Sequence, residues 1–246
     1  MSATIVGTYR AMAFNNAWSN DRLLAACAHL TQEEFEAART GFFPSLKATL
    51  NHILIVDWFY VDGLEGGWLG PKAWANRTPC ATVADLQREQ GAVDRRLIAV
   101  CDALTDQSLG VTVRLNRDTR VQTERRDRLL LHLFQHQIHH RGQAHAMLSG
   151  TRVKPPQLDE FYSVAEAPLR ASEFAALGWT EETVWGRTCS RSVTGRYCPM
   201  LQRRSLLAGQ HGSALTTSRK PVLLDRTSFC GGLAKAHRSH TYKFQS

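Results

Sequence analysis

The chain has 246 residues, 43% of them hydrophobic, which suits one large domain or a medium domain with an appendage. No run of about 18 apolar residues occurs, which excludes a transmembrane helix, and Met1-Ser2-Ala3-Thr4 lacks a basic-then-apolar secretory pattern, so a cytoplasmic location is expected. The net charge of +8 is lopsided: residues 1–186 hold 19 Lys+Arg against 21 Asp+Glu, whereas residues 187–246 hold 11 against one, Asp225, so the body gives no electrostatic reason to expect nucleic acid.

Residues 4–28 keep a helical spacing through Ile5, Tyr9, Met12, Ala13, Ala17, Leu23, Leu24 and Cys27, with a kink or break expected near Asn15, Asn16, Ser19 and Asn20. Thr31-Gln32-Glu33-Glu34 has the form of a capping box and predicts a short helix to about Arg39. Ser45 is placed to cap a helix over 45–64 that is apolar nearly all round and therefore belongs inside a bundle. His52 lies in it, among Ala48, Ile55, Val56 and Phe59 on the helical wheel, and is expected to face the interior; Lys47, Asn51 and Asp62 mark the wetter side. Gly63 to Pro79 reads as a loop, and Thr82-Val83-Ala84-Asp85 opens a further helix to about Leu104. Two β-like runs, 111–115 and 120–123, flank a turn and predict a hairpin.

A helix over 125–149, closed by Gly150, carries four of the ten histidines within nine positions: His132, His136, His139 and His140. Leu129, Leu133, His136, His140, Ala144 and Met147 form one stripe, so two imidazoles interrupt a core face, while Arg128, Gln135, His139 and Gly142 face solvent. Short helical pieces follow a Pro155-Pro156 loop, and the domain is expected to end near Gly186. Residues 187–246 have no amphipathic period; they read as a basic disordered tail or a non-native extension, and the completeness of the preceding domain favours the extension. His211, His237 and His240 lie there without a metal-like context.

The six cysteines are scattered with no Cys-x-x-Cys pair, so idle or buried thiols are expected rather than disulfides. His136 and His140, at i and i+4, point from one helix face at one object, and His52 is the third imidazole inside an apolar helix. Three neutral imidazoles in an apolar bundle otherwise need several separate hydrogen-bond partners, so a shared divalent metal is the expectation, with a coordination position left open for water or a thiolate. His132 is a supporting neighbour, and His139 and His145 are surface or structural. The spacing of His136 and His140 is that of a zincin helix without its glutamate base, and a di-iron bundle lacks its inward glutamates. Asp57 falls on a buried face, with Arg141 as its expected clamp partner.

A lone histidine in an internal helix, followed about 80 residues later by His136-Gln-Ile-His-His140-Arg141-Gly142-Gln143, resembles the DinB-like superfamily. Asn15 to Asn20, Asp57-Trp58 and Leu158-Asp159 support the resemblance, which covers roughly residues 5–186. It implies an all-α, up-down-down-up four-helix bundle, a metal site on His52, His136 and His140, and frequent homodimerisation. Some members are S-transferases using a low-molecular-weight thiol such as bacillithiol or mycothiol, and a thiol-dependent maleylpyruvate isomerase is related. The expected function is therefore metal-dependent thiol transfer or detoxification of a small molecule. The expected metal is zinc or nickel, although three imidazoles also suit copper and iron. The expected cosubstrate is a thiol, and no membrane or nucleic-acid partner is implied for the folded part. The alternative is a non-catalytic, metal-binding stress-response bundle.

Overall fold

In the computed structural model, which describes residues 4–185, four long helices surround a common core: α1 (Ile5–Cys27), α3 (Leu46–Leu64), α4 (Val83–Asp102) and α6 (Arg126–Ser149). Each packs on two neighbours in the cyclic order α1, α4, α3, α6. Tyr9, at the start of α1, donates its hydroxyl hydrogen to the carbonyl of Asp127 at the start of α6, 3.2 Å away, so these two helices run parallel. Thr49, at the start of α3, bonds the Sδ of Met147 at the end of α6 at 3.7 Å, so α3 runs against α6. The bundle is thus up-down-down-up, as the family resemblance implies. The long connection over 65–82 returns the chain to start α4 beside the start of α3. No helix among the described residues is long and apolar enough to cross a membrane. The readings made for residues 187–246 lie outside the described residues.

Local chemistry starts the helices where the sequence predicts. Ser45 Oγ accepts the N–H of Ala48 at 3.1 Å, and Thr82 Oγ1 accepts that of Asp85 at 3.2 Å. Thr31 and Glu34 form the reciprocal capping box that opens α2 (Gln32–Glu36). That helix ends three residues earlier than expected because Ala37 turns to extended backbone. β1 (Thr112–Asn116) pairs antiparallel with β2 (Val121–Arg125) as the predicted hairpin. Two short pieces carry no strong sequence period and were not anticipated: α5 (Asp106–Leu109), capped by Thr105 and Ser108, and a 3-10 turn over Gly70–Trp74.

Leu46, Ile53, Leu54, Leu86, Leu97, Leu130 and Leu133 fill the main core. A second, smaller core forms where Phe161, Phe174 of α7 (Ala167–Ala176) and Val184 of α8 (Glu181–Trp185) close on Phe14 and Trp18 of α1. Two expectations are corrected. α1 has no break at its asparagines: Asn15, Asn16, Ser19 and Asn20 are all buried within a continuous helix. Asn51 is also buried, because its side chain clamps the returning loop, accepting from Cys80 N–H at 2.8 Å and donating to Cys80 O at 3.0 Å.

Candidate metal centre

α3 and α6 lie side by side, and their seam brings together the three histidines singled out from the sequence. The ring centroids of His52, His136 and His140 are 4.5–5.0 Å apart. One ring nitrogen from each lies within 4.8 Å of the others. Nε2 of His52 is 2.9 Å from Nε2 of His136. His140 is buried, whereas His52 and His136 are half-buried. His52 therefore faces the seam and its mouth rather than the bundle centre.

The supporting contacts orient these rings. Nδ1 of His140 lies 2.8 Å from Oε1 of Gln143, one turn along α6. An Nδ1–H donated to that oxygen leaves Nε2 with a free lone pair. Phe43 covers the group, with its ring 4.3 Å from His52 and 5.5 Å from His140; Phe42 stands 6.2 Å from His140. His132 lies off the cluster, its ring 6.3 Å from His136 and 5.1 Å from Tyr60. His139 is exposed, and His145 bonds the Pro156 carbonyl at 2.9 Å.

Burial is the first cause that lowers the pKa of all three clustered histidines. For His52, the neighbouring His140 and the Arg77 guanidinium add to it, and the value falls to about 4. For His136 the surrounding imidazoles bring it to about 2. All three rings are therefore neutral near pH 7 and offer lone pairs. Among the described residues no carboxylate contributes to these shifts, and the Arg77 guanidinium acts on His52 alone. The fit to a divalent ion rests on this donor set. Nδ1 of His136 is buried without a hydrogen-bond partner, and the two Nε2 atoms that face each other can satisfy only one lone pair by hydrogen bonding. A cation shared by the rings satisfies several at once, and three imidazoles are a ligand set used for catalytic zinc.

Behind the cluster lies a buried polar network that sequence reading only partly found. Asp57 Oδ2 accepts from Nε2 of Gln90 at 2.7 Å and from Nε2 of Gln137. Asp94 accepts from Gln90, Asn16 and Asn20 at 3.1–3.2 Å. Arg141 Nη1 donates to Oδ1 of Asn16 at 2.8 Å and of Asn20 at 2.9 Å. The expected clamp between Asp57 and Arg141 is not a direct pair: Arg141 reaches α1, and Asp57 is held by two glutamine amides. Burial, and then the charge of Asp94, pushes the Asp57 carboxyl up to about 8; burial takes Asp94 to about 6. A signal for this network was present as three polar pairs at i, i+4: Asn16 with Asn20, Gln90 with Asp94, and Gln137 with Arg141. Each pair sits on a buried stripe, and the third flanks the metal-ligand candidates in sequence.

The cysteines among the described residues take no part. Cys27, Cys80 and Cys101 are free and buried, and burial pushes the Cys27 and Cys101 thiols up to about 12.

No curated protein matches the chain. The crystal structure of a DinB-like protein from Bacillus cereus ATCC 10987 superposes with a TM-score of 0.47 at 17% identity, over 58% of this chain and 91% of that one. A model of the DinB family matches residues 1–170, well over half of the sequence, and the chain belongs to the DinB family.

Proposed function

We propose that this protein is a cytoplasmic metal-dependent enzyme that activates a small thiol for transfer to an electrophilic small molecule. The observation that carries this reading is the convergence of His52, His136 and His140 at a seam that is half-buried rather than sealed. A structural metal site closes all its positions, whereas three protein ligands leave room for an exogenous one. When bound, a divalent ion, zinc or nickel first, supplies Lewis acidity that holds a thiol as thiolate near neutral pH.

The chain's own residues do the rest. His52, His136 and His140 would hold the ion, and Gln143 fixes the ring of His140. Phe42 and Phe43 keep water from one side of the group and offer an apolar surface to the electrophile. Three neutral imidazoles would leave the charge of a divalent ion uncompensated, which would favour an anionic thiolate over a neutral ligand.

The test has two stages. Purified protein takes up about one equivalent of zinc or nickel by elemental analysis, and His136→Ala takes up none. Metal-loaded protein then consumes thiol with chlorodinitrobenzene faster than the His136→Ala control. No uptake by the wild type defeats the metal reading. Uptake with equal background rates defeats the enzyme reading and leaves a non-catalytic metal-binding bundle. We also propose a homodimer, supported by Leu131 and Ile138, which stand 59% and 48% exposed on one face of α6.

A further inference from the structure

The histidines of α6 form a row, His140, His136 and His132, each step about 6 Å along the helix axis. The two ends of that row meet different chemistry. At the His140 end stand Phe43 and Phe42, the latter 60% exposed. At the His132 end stands Tyr60, whose hydroxyl oxygen accepts a hydrogen bond from Nη2 of Arg117 at 3.0 Å.

Arg117 is the unusual member. It sits at the turn of the hairpin, half-buried, with its guanidinium 4.4 Å from the ring centre of Phe59. Its Nε donates to Oε1 of Gln122 at 2.7 Å. Among the described residues it makes no ion pair, and its Nη1 has no hydrogen-bond partner, unlike Arg10, Arg22 and Arg96, each of which holds a carboxylate. The nearby acids do not serve it: Glu124 receives the Gln122 amide, and Asp118 is exposed on the turn. The hairpin itself, residues 112–125, holds four arginines against two acids. An aromatic seat orients a cation but does not neutralise it. With Nε and Nη2 engaged, the guanidinium keeps Nη1 for a carboxylate oxygen, and one such cation matches one negative charge.

We propose that Arg117, Tyr60 and His132 recognise the carboxylate of a small molecule whose apolar body runs along the histidine row toward Phe43. The assignment of that molecule as a substrate or thiol cosubstrate rests on the function proposed above. In this arrangement Arg117 donates through Nη1, the hydroxyl of Tyr60 donates its hydrogen, and the exposed ring of His132 lines the path to His136. Arg117 is a binding and specificity residue; no proton moves on it.

The probes are 3-phenylpropionate and its uncharged amide, titrated calorimetrically into metal-free, full-length protein. The wild type binds the acid about tenfold more tightly than the amide, the size expected for hydrogen bonds to a charged group. Arg117→Gln abolishes that preference, whereas Arg120→Gln, which removes an exposed charge of the same hairpin, retains it. Equal affinity for acid and amide in the wild type, or no binding of either, overturns the proposal, as does a preference that survives Arg117→Gln. Should Arg117→Gln unfold the hairpin, Tyr60→Phe keeps the ring and removes only the hydroxyl. It is expected to lower the affinity for the acid and leave that for the amide unchanged, and an unchanged acid affinity overturns the proposal. Because the titration contains no metal, failure of the wild type to take up zinc sinks the function proposed above without touching this result.

Discussion

Asp57 stands where α3, α4 and α6 meet, with Oδ1 unpaired and with Oε1 of Gln137 unpaired beside it. Its carboxyl titrates at the usual 3.8 when unfolded and is raised to about 8 when folded, by burial and then by Asp94. Folding therefore takes up a proton, and this group's contribution to stability is fully present below about pH 4 and is lost as the pH rises through 8. Asp57→Asn removes the term and supplies a donor for the Gln137 amide once that amide turns over. Its advantage over the wild type should be absent near pH 4, grow from there to pH 8, and level off in urea unfolding at no more than about 6 kcal/mol, the whole shift converted at roughly 1.4 kcal/mol per unit. A pH-independent difference would contradict this account. Arg141 presents the opposite case. It is the cation of the network, and Arg141→Met leaves Asp94 buried without it. A loss of about 3–5 kcal/mol is expected by the same measurement. The helical-wheel position of Asp57 places it on a buried face, where a carboxylate needs partners. Which partners it found depends on the axial positions of two other helices, α4 and α6, and no residue spacing within α3 contains that information.

At the level of elements, helix starts were legible because caps are local: Thr31 and Glu34 lie three residues apart, and the bonds they make cross no other element. The stripe on α6 was legible for the same reason, since Leu129, Leu133, Ala144 and Met147 are buried as their period predicts. The glycines divide by tertiary contact instead. A Cβ on Gly63 of α3 would lie 2.2 Å from Cδ2 of Leu115 in β1, whereas one on Gly91 of α4 would meet only Nη1 of Arg95 at 3.4 Å. Gly91→Ala should raise stability by about 0.5–1 kcal/mol through helix propensity. Gly63→Ala should lower it by about 1–3 kcal/mol by pushing β1 off α3. Thermal or urea unfolding of both variants reads the contrast, and equal signs would refute the packing argument.

For the whole molecule, the exposed apolar side chains of α6 bear on assembly. Leu131 and Ile138 lie seven residues apart on one helix face. If that face pairs two copies, the double variant Leu131→Glu, Ile138→Glu runs as a monomer in light scattering while keeping its helix content and its metal stoichiometry. A wild type that is already monomeric at tens of micromolar would remove the assignment. Periodicity and capping were sufficient to read, from the chain alone, the long helices, the hairpin and the pair His136 and His140, because each is a property of neighbours within about two helical turns. The third histidine was reached by combining the apolar setting of His52 with a family resemblance. The meeting of that ring with the other two, the replacement of an Asp57–Arg141 pair by a four-helix network, and the unpartnered Nη1 of Arg117 arise only when α1, α3, α4, α6 and the hairpin take their relative positions. Those positions are set by the packing of many side chains at once, and distances between elements remote in the chain have no counterpart in local spacing.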